Sequence, residues 1–153
     1  MMRWFVPMVL VFCLMVVPCF ADEITTTVVK DEPAKAKLLG AHKLSLQWIS
    51  WDNFGTATAV EKDGLITIKG EQRAKTGGDY VLLDGVVTEI DKNSFKINGS
   101  IVTKVSYINR GEACVRQGDL TFRITGSRKY WRLKEMDSPC GPETDYVDIY
   151  FRK

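Results

Sequence analysis

The sequence predicts an all-β protein, a single antiparallel up-and-down β-barrel of about eight strands, with a β-sandwich as the alternative. Two observations predict this class. From residue 44 onward, apolar and polar residues alternate with the period of two expected for half-buried strands, and a helical period is almost absent. Short turns rich in Gly, Asp and Asn separate these runs. Successive hairpins favour the barrel, because closure removes exposed sheet edges.

Residues 1–21 have the features of a cleaved export signal. Arg3 supplies a positive start, residues 4–17 form an apolar run, and residues 19–21 fit the small-x-small rule for cleavage. The run is short for a membrane span and is interrupted by Pro7. We therefore expect a periplasmic or extracellular mature protein of about 132 residues, one domain in size and without a transmembrane segment.

The mature chain is nearly neutral in charge. The full sequence has 21 Lys and Arg against 19 Asp and Glu, and removal of the leader removes one arginine. Nucleic acid and anionic membranes attract proteins that carry a concentrated positive charge. Neither is therefore expected as the main partner, which leaves a small ligand or another protein.

Export also predicts the state of the cysteines. Cys114 and Cys140 are the two cysteines outside the leader, and in an oxidising compartment we expect them to form one disulfide. Closing the loop between them stabilises the fold by roughly 3.5 kcal/mol in the chain-entropy model. The two residues are far apart in the sequence and His42 is the one histidine, so no metal and no cofactor is expected.

The barrel domain is predicted to span residues 44–153, after a flexible tether at residues 22–43. The tether is rich in Thr, Lys, Glu and Ala, is interrupted by Pro33 and lacks a sustained apolar period. A short helix at residues 34–39 would be marginal on its own.

The first hairpin is predicted with arms at residues 54–61 and 65–71. The three residues between the arms end in Gly64, as expected for a type I turn followed by a bulge. This loop length sets the register of the hairpin. In that register Thr56 and Thr58 face the barrel interior.

A longer ribbon is predicted with arms at residues 80–90 and 94–108. Asn98 and Gly99 resemble a hairpin turn, but the apolar residues on either side share one face only if the chain runs straight through. One continuous strand, bent at Gly99, is therefore expected. A β-bulge is expected at residues 84–85, where the apolar parity switches.

The third hairpin, residues 120–134, has the sequence LTFRITGSRKYWRLK and turns over residues 125–128. This pairing sets Phe122 opposite Trp131 in the core. A last strand at residues 145–151 closes the sheet. The outer face of the hairpin is rich in basic residues, namely Arg123, Arg128, Lys129, Arg132 and Lys134.

This basic face is the first candidate site, with Arg123, Tyr130, Arg132 and Lys134 as its residues. An arginine offers a rigid fork of donors that binds a carboxylate or phosphate, so the face would suit an acidic partner. The favoured alternative is neutralisation by the acidic last strand, with Arg132 beside Asp148.

The inward threonines Thr56, Thr58 and Thr103 are the second candidate site, since inward hydroxyls would line a ligand cavity. The favoured alternative is that β-branched residues fit strands and bond their hydroxyls locally. Trp51 is the third candidate, because parity turns it outward near the first strand, whereas Trp48 is expected in the core.

No catalytic residues are predicted, because the one histidine, His42, lies in the predicted tether, which disfavours a hydrolytic triad, and no glycine-rich loop follows a strand and opens a helix. The architecture resembles the small barrels of the lipocalin and avidin type, although the Gly-x-Trp signature of lipocalins is missing before the first strand. The favoured function is an exported, non-catalytic binding module for a small apolar molecule or another protein. The alternative is an inhibitor or cell-envelope interaction protein that acts through the basic face or loops. An enzyme without histidine comes third.

Overall fold

The structure of the chain, a computed structural model, describes residues 23–152. The predicted leader at residues 1–21 lies outside the described residues. Within them, the elements in chain order are β1 (Val28–Val29), α1 (Glu32–Leu38), β2 (Gly40–Leu46), β3 (Gly55–Lys62), β4 (Leu65–Arg73), β5 (Tyr80–Asp91), β6 (Ser94–Lys104), a 3₁₀ turn (Asn109–Gly111), β7 (Cys114–Arg123), β8 (Tyr130–Leu133) and β9 (Val147–Tyr150).

Strands β2 to β9 form the closed antiparallel barrel that the sequence predicts. Each strand pairs with the one that follows it in the chain, and β9 pairs with β2 to close the ring. Short connections between sequential neighbours account for this up-and-down order. β1 adds a short extra strand parallel to β5, where Val28 lies opposite Glu89.

Apolar side chains from all of the barrel strands fill the interior. The rings of Phe95 and Phe122 stack with their centroids 5.1 Å apart, and Trp131 packs edge-on against Phe95 at 5.6 Å. A space beside Thr103 measures about 10 Å³, at the lower limit for holding one water molecule. The described side chains therefore leave little space inside the barrel.

The segment predicted as a flexible tether, residues 22–43, is instead largely part of the fold. Asp31 caps α1 by accepting a hydrogen bond from the Ala34 N–H at 2.7 Å. Leu38 is buried in the core, and β2 begins at Gly40. A helix this short is marginal in isolation, so packing against the barrel stabilises it, and this contact is not encoded in a local sequence pattern.

The β3–β4 hairpin turns through two residues and not through the predicted three. Lys62 pairs with Leu65, so Asp63 and Gly64 form the turn, with φ of 52° and 81°. Positive φ at both central residues is typical of a type I′ turn, whose twist matches that of the flanking strands. The shorter turn shifts the register by one residue, which exchanges the inward and outward faces of β3.

The predicted inward orientation of Thr56 and Thr58 is therefore wrong, since both are exposed on the outer surface. Ala57 and Ala59 are buried in the core in their place. Thr103 does face inward and is buried. The three threonines consequently do not line a common cavity.

β6 runs straight through Gly99, as the sequence predicts. Gly99 lies opposite Gly85 on β5 and Gly118 on β7, so three glycines form a row across the sheet. A side chain on Gly99 would place its Cβ 2.2 Å from the carbonyl oxygen of Asp84. The close approach of the two strands therefore requires glycine at this position.

The bulge in β5 lies later than predicted. Residues 84–85 pair regularly with β6, and the register shifts between Val87 and Glu89. The bulge changes which alternate residues face the core, so that Val87 and Ile90 are both buried. Gly85 faces inward but has no side chain, so it interrupts the alternation of apolar and polar residues along β5. That alternation therefore could not show where the extra residue of the bulge lies.

The β7–β8 hairpin has a longer loop than predicted. Phe122 lies opposite Leu133, and Arg123 lies opposite Arg132. The predicted pairing of Phe122 with Trp131 is therefore wrong by two residues. A shift of two preserves the faces, so Trp131 is buried as predicted, at 3% exposure.

The predicted disulfide between Cys114 and Cys140 is present and joins β7 to the segment between β8 and β9. A buried ion pair holds the same segment. The Arg116 guanidinium lies 3.1 Å from the Asp145 carboxylate and donates to the carbonyl of Asp137 at 3.0 Å. This long segment is therefore fixed to the barrel at two points.

Candidate functional site

Four of the five basic residues predicted on the hairpin line one open groove on the outside of the barrel, which we call the basic groove, whereas Lys129 does not line it. Its volume is about 650 Å³. Apolar surface in the lining comes from Ile124, Met136 and Tyr146. Its charged lining residues are Arg123, Arg128, Arg132 and Lys134.

Strand alternation and the hairpin loop bring these cations together. Because Phe122 and Leu133 point into the core, Arg123 and Arg132 point to the outer face. Arg128 comes from the loop between the two strands. Arg123 lies directly opposite Arg132, and like charges in this relation destabilise a sheet unless an anion intervenes.

Arg132 is neutralised within the protein, as the sequence analysis expected. Its Nε and Nη2 each donate to one oxygen of Asp148 at 2.7 Å. The hydrogen bond to Asp148 raises the pKa of Arg132 above its ordinary value. Its guanidinium also packs over the rings of Tyr130 at 5.3 Å and Tyr146 at 4.1 Å. Arg132 therefore has a structural role, because its ion pair with Asp148 joins β8 to β9.

The other three cations of the basic groove are not neutralised in this way. Arg123, Arg128 and Lys134 are exposed, and none of them has a carboxylate within 4.0 Å among residues 23–152. The guanidinium of Arg128 lies 5.6 Å from the ring centroid of Tyr130, which orients it beside the hairpin. Three positive groups thus remain available to an anion.

A smaller groove of about 380 Å³ continues from the basic groove and shares Arg123 and Lys134 with it. The acids of this smaller groove have other partners. Glu89 binds Lys30 at 2.8 Å and Lys96 at 3.1 Å, and these hydrogen bonds lower its pKa. Asp91 accepts a hydrogen bond from the backbone of Lys92 at 2.7 Å. These acids therefore leave the three cations of the basic groove unpaired.

The remaining predicted site residues lie elsewhere. Trp51 is 49% exposed in the loop between β2 and β3, and it does not line the basic groove. Thr56 and Thr58 are on the outer face of β3, and Thr103 is buried. Only the basic-face residues are therefore brought together by the fold.

A second groove, of about 730 Å³, was not predicted, and we call it the aromatic groove. Its lining includes Phe54, Tyr150 and Phe151 together with Lys43, Lys129 and Arg152. These residues come from β2, the loop before β3, the β7–β8 loop and the C-terminal strand region. They are scattered along the chain, so no local pattern in the sequence indicates that they meet.

The one histidine is held by the backbone. His42 is buried, with Nδ1 2.9 Å from the Tyr150 carbonyl oxygen and Nε2 2.7 Å from the Leu38 carbonyl oxygen. Across residues 23–152, no cluster of three or more His, Cys, Asp or Glu side chains has a metal-binding arrangement. In the same range no helix has the length and apolar character needed to cross a bilayer.

Comparison with known proteins places the chain in a family. The model of the PM1083 family matches residues 26–151, a span that contains every strand of the barrel, and the chain belongs to this family. It is 50% identical over 115 residues to the uncharacterized protein PM1083 of Pasteurella multocida (strain Pm70), covering 75% of this chain and 74% of the relative. No solved structure matches the chain significantly.

Proposed function

We propose that this member of the PM1083 family is an exported, non-catalytic binding module that holds an acidic segment of another protein in the basic groove. The observation that carries the proposal is the set of three exposed cations, Arg123, Arg128 and Lys134, that have no carboxylate partner among the described residues. Charge-assisted hydrogen bonds from such groups are stronger than neutral ones. Binding an acidic segment would also give Arg123, which lies opposite the already neutralised Arg132, an anionic partner.

A protein partner fits the groove better than a small apolar ligand or an extended polyanion does. The filled interior disfavours a small apolar ligand in the lumen. The nearly neutral mature chain disfavours an extended polyanion such as nucleic acid. The apolar surface of Ile124, Met136 and Tyr146 beside the cations suits a segment that carries both carboxylates and apolar side chains.

The binding test uses the mature chain, residues 22–153, and a fluorescent peptide of alternating glutamate and leucine, followed by anisotropy. The variant Arg128→Gln/Lys134→Gln removes two charges from the basic groove and should weaken binding by about tenfold or more. The matched control, Lys62→Gln/Lys75→Gln, removes two exposed charges that do not line the groove. It should change the affinity by less than about twofold.

Two results would refute the proposed site. One is an equal loss of affinity in the two double variants, and the other is equally tight binding of a peptide of alternating lysine and leucine. Binding should also weaken as salt is added, because exposed charges are screened over about 10 Å at 0.1 M ionic strength.

Export is tested separately. The predicted leader at residues 1–21 and the disulfide Cys114–Cys140 support an oxidising compartment. We expect mass spectrometry of protein recovered from the periplasm or medium to find an N-terminus at Asp22 and no free thiol. Recovery of a chain that retains Met1 in the cytosolic fraction would contradict export.

A further inference from the structure

The aromatic groove is built on the outer face of the barrel, where three outward side chains lie side by side. Lys43 on β2 pairs with Thr56 on β3 and with Tyr150 on β9. Phe54, which precedes β3, packs edge-on against Tyr150 with ring centroids 5.2 Å apart. The rings of Phe54 and Tyr150 form one wall of the groove, and the pairing of β9 with β2 fixes the position of Tyr150.

Phe151 forms the other wall of the groove, and both its ring and its backbone are held by contacts with the barrel. Its ring packs edge-on against the buried Trp131 at 4.6 Å. Its backbone N–H donates to the carbonyl of Lys129 at 3.0 Å. A preformed apolar wall of this kind reduces the ordering cost of binding.

The charges around the aromatic groove are all positive. Its lining contains Lys43, Lys129 and Arg152 and includes no acidic residue. The ammonium of Lys43 lies 4.9 Å from the ring centroid of Phe54, and Arg152 donates to the carbonyl of Ala36 at 3.0 Å. Both cations are thereby held beside the apolar walls without being neutralised by a carboxylate of the lining.

The nearest acid of β9 does not cancel this charge. Asp148 is completely buried and both of its oxygens accept hydrogen bonds from Arg132. An anion bound between the cations of the aromatic groove would therefore meet three positive groups, with no carboxylate in the lining to repel it.

We propose that the aromatic groove is a binding site for a fatty carboxylate, with the hydrocarbon chain against Phe54 and Phe151 and the carboxylate at Lys43 and Lys129. The groove volume of about 730 Å³ lies within the range of about 300–1,000 Å³ typical of small-molecule sites. Aromatic walls bury a hydrocarbon chain, and lysine ammonium groups on flexible stems reach a single carboxylate. The ligand must therefore be both apolar and anionic. This site is separate from the basic groove and does not depend on the function proposed for it.

The test is isothermal titration of the mature chain with dodecanoate below its micelle concentration. Dodecyltrimethylammonium, which has the same chain and a cationic head, and acetate, which has the head without the chain, are the comparison ligands. Saturable binding of dodecanoate is expected, with at least about tenfold weaker binding of both comparison ligands.

Variants locate the site. Lys43→Gln/Lys129→Gln should weaken dodecanoate binding by about tenfold, whereas the basic-groove variant Arg128→Gln/Lys134→Gln should leave it within about twofold. Both double variants change only exposed side chains, so folding is checked simply by circular dichroism. Equal binding of the cationic amphiphile, or an unchanged affinity in Lys43→Gln/Lys129→Gln, would overturn the proposal. If Arg128→Gln/Lys134→Gln loses binding of the glutamate peptide but keeps binding of dodecanoate, the two grooves are independent binding sites.

Discussion

The guanidinium of Arg132 binds both oxygens of the Asp148 carboxylate, each at 2.7 Å, across the pair of strands β8 and β9. Asp148 is 0% exposed, even though it lies on the outer face of the barrel. The ring of Tyr146 packs over the guanidinium at 4.1 Å. The pair therefore behaves as a buried ion pair, which is costly to break from one side.

Arg132→Ala should lower the free energy of unfolding by about 3–5 kcal/mol, because it leaves the Asp148 carboxylate buried without its partner. Arg123→Ala, which removes the exposed arginine directly opposite, should change stability by less than about 0.5 kcal/mol. Urea denaturation of a chain of residues 22–153 measures both. Similar small effects of the two variants on the free energy of unfolding would show that the buried Asp148 carboxylate does not need Arg132 as its partner.

Gly99→Ala should destabilise the barrel by at least about 1–3 kcal/mol. The new Cβ would lie 2.2 Å from the Asp84 carbonyl oxygen and 2.5 Å from the Gly85 Cα, both of which belong to the backbone and cannot rotate away. Gly78→Ala is the matched control, because a Cβ there meets nothing within 4 Å. Thermal unfolding compares the two variants. Equal melting temperatures of the two variants would mean that β5 and β6 can move apart to accept a side chain at residue 99 without loss of stability.

Trp131→Ala should cost about 3–5 kcal/mol, as expected for a large buried aromatic residue. Its ring packs against Phe95 at 5.6 Å and Phe151 at 4.6 Å, and only 3% of it is exposed. Trp51→Ala provides the comparison, since Trp51 is 49% exposed and its loss should cost less than about 0.5 kcal/mol. Denaturation followed by far-ultraviolet circular dichroism avoids dependence on tryptophan fluorescence. A mild effect at Trp131 would contradict the observed register.

Tyr150 should ionise at a pH above the ordinary tyrosine pKa of 10.0. Burial raises its pKa above the ordinary value of 10.0, and the nearby charge of Asp148 acts in the same direction. A raised pKa in the folded state means that the associated stability is fully present below pH 10.0 and is lost as the pH rises through the folded-state pKa.

The alkaline titration of tyrosinate absorbance should therefore lose its highest step in Tyr150→Phe. The stability of this variant should also fall less steeply than that of the parent protein above the ordinary tyrosine pKa. If the highest step persists in Tyr150→Phe, another tyrosine carries it and the assignment fails.

Much of the barrel could be predicted from the sequence, because alternation reports the face on which each residue lies. The inward positions of Phe122 and Trp131 were predicted, and so were the continuous strand through Gly99 and the disulfide. These predictions depend only on a period of two along each strand and on the oxidising compartment that the leader-like residues 1–21 predict. A period of two survives a register error of two residues, which is why Trp131 is buried although its predicted partner was wrong.

The tertiary structure alone decided the register of β3, the place of the N-terminal segment and the two grooves. Thr56 and Thr58 face outward because a two-residue turn at Asp63 and Gly64 changes the pairing by one residue, and single-sequence parity cannot distinguish the two loop lengths. α1 forms because Leu38 packs in the hydrophobic core, and the residues that it packs among are distant from it in the chain. The aromatic groove exists because barrel closure brings β2 beside β9 and so joins Lys43 to Tyr150. Alternation records which side of a strand a residue occupies, whereas which strands and loops meet there is set by long-range pairing.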